Sequence, residues 1–204
     1  MRRPWIVGVS GASGTPYAAA VLRALSAAEV PVDLVVSRAA RLTLLDETAI
    51  SFRDAHWQHD LQTWLGAEVK DVRYWPAGDL AAGPSSGSYP ASGMIVVPAS
   101  TAACAGIALG LSKDLLQRAA EVNLKERRPV IVVPRETPVT RSHLLHLVEL
   151  IDAGATVLPA SPGFYGIGAA ATAQQLIDFV AGKVLDCAGV EHDLLTRWTG
   201  TING

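Results

Sequence analysis

Short β-branched runs alternate with longer Ala- and Leu-rich stretches of helical period, and this alternation limits the possible folds more than any other feature of the chain. Strand-like runs occur at 5–9, 32–36, 69–74, 94–97, 130–133 and 156–158. Most are apolar throughout, as strands covered on both faces must be. Helices are expected at about 16–28, 38–46, 54–65, 101–109, 114–127, 140–153 and 173–188. Successive βαβ units of this kind give an α/β chain with a parallel sheet. Thr15 reads as the N-cap of the first helix, with Pro16 at the first helical position, where a missing N–H costs nothing. Gly154 reads as the stop of the helix that begins near Thr140. Residues 78–93, with Pro84, Ser85, Ser86, Gly87, Ser88 and Pro90, have no period and read as a long loop.

Half of the 204 residues are apolar, enough for a substantial core without staples. Seventeen Lys and Arg against nineteen Asp and Glu leave a net charge of −2, so no strong positive field draws nucleic acid to the surface. Cys104 and Cys187 lie far apart and outside any C-x-x-C pair, which argues against a disulfide scaffold or a structural zinc. No run approaches the roughly 18 uninterrupted apolar residues of a membrane span, and the first apolar run is too short for a signal peptide. A soluble, cytoplasmic protein without membrane, nucleic-acid or metal partners is expected.

Ligands of an open parallel sheet bind outside the carboxyl ends of its strands, so the residues after each strand are the ones to inspect. They are Ser10-Gly11-Ala12-Ser13-Gly14-Thr15-Pro16-Tyr17, Ser37-Arg38, Pro98-Ala99-Ser100-Thr101, Pro134-Arg135-Glu136-Thr137-Pro138 and Pro159-Ala160-Ser161-Pro162-Gly163-Phe164-Tyr165. The first turn places small residues and hydroxyls at a helix N-terminus, where free N–H groups and the helix dipole favour a phosphate. It lacks both the G-x-G-x-x-G pattern and the Lys of a P-loop. A tight unliganded turn is the competing reading. With Ser37 and Ser100 at two other strand ends, the set fits a ligand with one phosphate and many polar edges, such as FMN.

The stretch 112–128 places Arg118 and Lys125 seven residues apart on one helix face, near Arg135 and Glu136 after the next strand. They read either as a second anion pocket or as an ordinary solvated face with Asp114–Arg118 and Glu121–Lys125 pairs. His143, His146 and Glu149 share a helix but do not match H-E-x-x-H, and a surface or subunit contact explains them better than a metal. Cys104, on an Ala-rich helix, reads as a packed thiol.

Several segments together resemble the flavin prenyltransferases, the UbiX-like proteins. They are Val9-Ser10-Gly11-Ala12-Ser13-Gly14, Ser86-Gly87-Ser88-Tyr89, Ser92-Gly93-Met94-Ile95-Val96-Val97-Pro98, the run from Arg118 to Arg128, Pro134-Arg135-Glu136-Thr137-Pro138, Pro162-Gly163-Phe164-Tyr165 and Glu191-His192-Asp193-Leu194. The likeness runs from about residue 5 to residue 198. It implies a Rossmann-like (flavodoxin-like) three-layer sandwich with a mainly parallel sheet. Residues 1–204 would be one flavoprotein domain, with 190–204 as a C-terminal tail. It also implies a homo-oligomer, commonly a dodecamer, that joins a dimethylallyl group from dimethylallyl monophosphate to reduced FMN without a metal. The prenylated FMN would serve a UbiD-like decarboxylase.

Residue by residue, the resemblance implies that Gly11, Ala12, Ser13, Ser37, Ser100, Thr101, Ala102, Ala103 and Arg135 contact FMN. Arg118, Lys125, Glu136, Tyr165 and Lys183 would surround the donor phosphate, and Trp198 would help to close the site. The catalytic set would be Ser13, Glu47, Glu136 and Tyr165, with Ser13 and Glu47 helping the proton lost at ring closure. The chain departs from the family pattern at Thr101-Ala102-Ala103, at Lys113-Asp114, at the Gly- and Ala-rich run 166–171, and at Lys183, where Arg is common. Lys cannot grip a phosphate bidentately. Two alternatives accompany this reading. One is a flavin-dependent cysteine-type decarboxylase, suggested by Pro98-Ala99-Ser100-Thr101 although an Asn is missing; the other is a non-catalytic FMN-binding paralogue.

Overall fold

A computed structural model describes residues 2–164, 170–198 and 200. The elements in chain order are β1 (Trp5–Val9), α1 (Thr15–Ala27), β2 (Val32–Val36), α2 (Arg38–Thr48), α3 (Trp57–Leu65), β3 (Val72–Pro76), β4 (Gly93–Ala99), α4 (Thr101–Ala108), α5 (Leu115–Lys125), β5 (Val130–Pro134), α6 (Arg141–Asp152), β6 (Thr156–Val157) and α7 (Ala173–Ala188). Short 3-10 turns at Asp54–His56 and Gly83–Ser85 complete them.

The six strands form one sheet in the order β3-β2-β1-β4-β5-β6, and every pair is parallel. Alternation along the strands sends side chains to two cores. Val7, Val9, Leu34, Val36, Ile95 and Val97 meet α1, α2, α3 and α7 on one face, and Ile6, Val35, Met94, Val96 and Val132 meet α4 and α5 on the other. The result is the expected Rossmann-like three-layer sandwich. The order of connection reverses between β1 and β4, which opens a crevice at their carboxyl ends.

Several boundaries differ from the sequence expectation. β3 begins at Val72 rather than near 69, because Asp71 turns the chain with φ 54 before Val72 pairs with Val32. The expected helix over 54–65 opens with a separate 3-10 turn and becomes α-helical only from Trp57. Asp114 lies outside α5 as its N-cap, accepting the Gln117 N–H at 2.9 Å. Thr15 is not the cap of α1 but its first residue. Gly14 occupies the cap position with φ 117, a conformation that suits glycine, and offers no side chain to the orphan N–H groups.

The 78–93 loop is pinned rather than free. Arg118 Nε donates to the Ser85 carbonyl at 3.2 Å and Arg128 Nη2 to the Gly87 carbonyl at 2.6 Å. From the loop, the Tyr89 hydroxyl donates at 2.6 Å to Asp33, a buried carboxylate that also accepts the Trp75 indole N–H at 2.8 Å. Burial and this neighbouring carboxylate push the Tyr89 phenol up to about 12.

Candidate functional site

Ser10, the first residue after β1, stitches the crevice. Its hydroxyl donates to the Pro98 carbonyl at 2.8 Å and accepts the Ser100 N–H at 2.7 Å, locking the β1 turn to the end of β4. Beside this stitch lies a cleft of about 490 Å³ lined by Ser10, Gly11, Ser37, Arg38, Ala39, Leu42, Ser100, Ala102, Ala103, Asp114, Leu116 and Gln117. Five of the residues implied to contact flavin meet here: Gly11, Ser37, Ser100, Ala102 and Ala103. Gly11 is tight against α2, since an added Cβ would stand 2.4 Å from the Ala39 Cβ. Only hydrogen permits that approach.

Three helix N-termini point towards this end of the sheet, but they are not equivalent. At α1, Glu47 from the last turn of α2 reaches across to supply the cap that Gly14 lacks. Its carboxylate accepts the N–H groups of Gly14 and Thr15, both at 2.8 Å, and the Thr15 hydroxyl at 2.6 Å. Burial works against its charge. Hydrogen bonds from the Thr15 and Ser13 hydroxyls and from the two N–H groups outweigh that cost and hold the carboxyl below its ordinary range. The donors that the sequence reserved for a phosphate at this turn are therefore already matched to an anion. At α2 and α4 the caps are Ser37 and Ser100, whose hydroxyls accept the Ala40 and Ala103 N–H groups at 3.1 and 3.2 Å. Both helices face the cleft with their dipoles and with caps that carry no charge.

The remaining implied residues scatter more widely. Arg135 holds the first turn from below, donating from Nε to the Ser13 carbonyl at 2.9 Å. Ala12 is buried, with its N–H on the Ser10 carbonyl at 2.9 Å. Thr101 opens α4 without lining the cleft. Glu136 is exposed and accepts the Thr137 N–H at 3.0 Å.

On α5, the Asp114–Arg118 and Glu121–Lys125 pairs suggested by spacing do not form. Arg118 instead meets Glu121 at 3.3 Å and Lys125 meets Glu126. Arg118 and Lys125 lie over the 85–88 turn on the α4/α5 face, whereas Lys183 belongs to α7 on the opposite face and is paired with Asp186 at 3.2 Å. One chain does not bring these three cations together. Trp198 is exposed, and Tyr165 lies outside the described residues, as do 166–169 of the Gly- and Ala-rich run.

Arg38, named with Ser37 at the end of β2, does line the cleft, whereas sequence reasoning missed Leu42 and Gln117. Leu42 was legible as the i+4 neighbour of Arg38. The approach of α5, which brings Leu116 and Gln117, has no local signal. His143 is also accounted for: its Nδ1 accepts the Thr140 N–H at 3.2 Å in a capping box. Cys104 is buried, which pushes its thiol up to about 12. Among the described residues no cluster of His, Cys, Asp or Glu could hold a metal, and no helix is long and apolar enough to cross a membrane.

The family model for Flavoprotein matches residues 1–185. The chain is 67% identical to the flavin prenyltransferase UbiX of Streptomyces coelicolor, across 98% of this chain and 97% of that protein. It superposes with a TM-score of 0.85 on the crystal structure of AnUbiX (PadA1) in complex with FMN and dimethylallyl pyrophosphate, at 34% identity over 99% of this chain and 100% of the other. A dodecameric FMN-dependent UbiX-like decarboxylase from Escherichia coli O157:H7 gives a TM-score of 0.83 at 36% identity, covering 97% and 100% of the two chains.

Proposed function

The chain belongs to the flavin prenyltransferases of the Flavoprotein family, and from that premise we propose that its crevice holds FMN and joins a dimethylallyl group to it. One observation carries the assignment to this site: Gly11, Ser37, Ser100, Ala102 and Ala103, which come from three separate strand ends, share the cleft at the β1/β4 switch point.

The residues present fit a flavin mononucleotide. A bare Gly11 lets α2 close against the first turn, and so brings Ser37, Arg38 and Leu42 to the same cleft as Ser100. The N-termini of α2 and α4, with the Arg38 guanidinium between cleft and solvent, suit the single phosphate. The first turn, already occupied by Glu47, suits the uncharged part of the ligand instead.

Reduced flavin, when bound, supplies N5 as the nucleophile and a ring carbon for the second bond to the five-carbon unit. The chain's own contributions follow from its chemistry. The hydrogen bonds that keep Glu47 ionised also make it a weak base, so its part at ring closure is to orient the Ser13 hydroxyl as the relay for the released proton rather than to keep that proton. Arg118, Lys125 and Lys183 supply the positive charge that a departing phosphate needs, and the family resemblance adds Glu136 and Tyr165 to the residues that act on the donor. Because Lys183 and the α5 cations lie on opposite faces, a complete donor site needs more than one subunit.

The outer face of α6 supports such an assembly. Leu144, Val148 and Ile151 are each at least half exposed, at 50, 51 and 55%, and Leu150 alone on this helix is buried. A second copy of this chain is the occupant that fits, since a UbiX-like neighbour at 36% identity is dodecameric. A cytoplasmic location and delivery of the prenylated flavin to a UbiD-like decarboxylase complete the reading.

The test is mass spectrometry of flavin extracted after anaerobic incubation with reduced FMN and either dimethylallyl monophosphate or the pyrophosphate. A flavin heavier by one dimethylallyl unit is expected with the monophosphate. Unmodified FMN with both donors overturns the reading in favour of a non-catalytic flavin-binding protein.

A further inference from the structure

Residues 190–198 lie against α7, and two positions on that helix build their seat. Gly182 is the first. A Cβ there would stand 2.6 Å from Cδ2 of Leu195 and 2.9 Å from Cε1 of His192, so the tail rests directly on helix backbone. Asp186, one turn further along the same face, is the second. Its carboxylate meets Arg197 Nη2 at 2.7 Å, His192 Nε2 at 3.1 Å and Lys183 Nζ at 3.2 Å. Leu194 packs on the core of this face, and the His192 side chain is 3% exposed. Burial disfavours the Asp186 charge, but Arg197, His192 and Lys183 together hold its carboxyl down at about 2.

A single carboxylate thus grips a lysine on the helix and two residues of the tail, and Trp198 follows Arg197 directly in the chain. An ammonium has three donors, so Lys183 keeps two for another anion while Asp186 fixes its direction. Without that partner its four-carbon stem is free to wander.

We propose that Asp186 is a positioning residue for the prenyl donor, which couples the placement of Lys183 to the docking of the C-terminal tail. The proposal rests on the reading of Lys183 and Trp198 as donor-side residues. It predicts that lysine orientation and tail docking fail together when the carboxylate is neutralised.

The test compares full-length wild type with Asp186→Asn, Asp186→Glu and Gly182→Ala. In Asp186→Asn the KM for dimethylallyl monophosphate should rise about tenfold, the effect of losing a charge-assisted contact, with little change in kcat. FMN affinity should stay the same, because α7 does not line the cleft. Asp186→Glu should recover part of the loss. Gly182→Ala should displace the tail while sparing the Lys183 pair, and so raise KM by less.

Trypsin provides a readout that needs no turnover: release of the 198–204 peptide by cleavage after Arg197 should be about tenfold faster in Asp186→Asn. An unchanged donor KM in that variant, beside an active wild type, overturns the proposal. Failure of the wild type itself to transfer counts against the functional reading instead. In that case equal cleavage rates in wild type and Asp186→Asn overturn the coupling.

Discussion

Replacing Glu47 with Gln asks how the flavin-side turn is held. In the native chain one carboxylate oxygen accepts the Gly14 N–H at 2.8 Å, and the other accepts the Thr15 N–H at 2.8 Å and the Thr15 hydroxyl at 2.6 Å. Gln keeps a single acceptor oxygen and turns an amide donor towards the remaining donors, so at least one bond is lost and the others lose their charge. Hydrogen bonds to a charged group contribute about 1.5–3 kcal/mol each. The side chain is only half-buried, and water recovers part of that. The expected loss is about 2 kcal/mol, the upper end for removal of a helix N-cap.

For a chain of 204 residues this lowers Tm by about 4–8 °C. Urea unfolding followed by circular dichroism measures it, at matched protomer concentration because association adds apparent stability. The sign of the pH dependence follows from the direction of the shift. The folded Glu47 carboxyl lies below its ordinary 4.5, so its charge contributes fully above that value and the contribution is lost as pH falls through the lower, folded one. Wild type and variant should differ at neutral pH and converge in acid. A neutral-pH gap under about 0.5 kcal/mol, the range of an ordinary surface substitution, refutes the reasoning, as does a gap that stays constant into acid.

Three further outcomes are expected. Gly11→Ala places a methyl group 2.4 Å from the Ala39 Cβ, which should weaken FMN binding by about tenfold or more in a calorimetric titration; native affinity would mean that flavin binds elsewhere. Val148→Glu puts a charge in the centre of the exposed α6 face and should yield smaller species by sedimentation velocity, whereas an unchanged assembly would remove α6 from the subunit interface. In the native protein a thiol reagent at about pH 8 should modify the exposed Cys187 and spare Cys104, whose burial raises its pKa to about 12; two equivalents taken up without unfolding would show that the α4 face opens.

The strand rhythm was legible because burial on both faces demands unbroken apolar runs, and β1, β2 and β5 match their sequence-derived limits to within a residue. Edge strand β3 was misplaced because one side of it is free. Its pattern mixes Arg73 and Tyr74 with Val72, and a backbone turn at Asp71 sets its start. The small residues and hydroxyls that line the cleft were legible for a similar reason, since ligands of a parallel sheet gather where its strands end.

By itself the sequence determined the α/β class, several of the strand-end residues that line the cleft and, through its joined motifs, the family. It did so because periodicity and turn chemistry act over a few residues. Tertiary structure alone decided that Glu47, more than thirty residues away, caps α1, while α2 and α4 keep the uncharged caps Ser37 and Ser100. It also decided that Arg118 and Lys183 lie on opposite faces of the sheet, and that Asp186 joins Lys183 to the tail. Each of these depends on which side of the sheet a helix packs and how far a side chain reaches across it, and neither is written in local spacing.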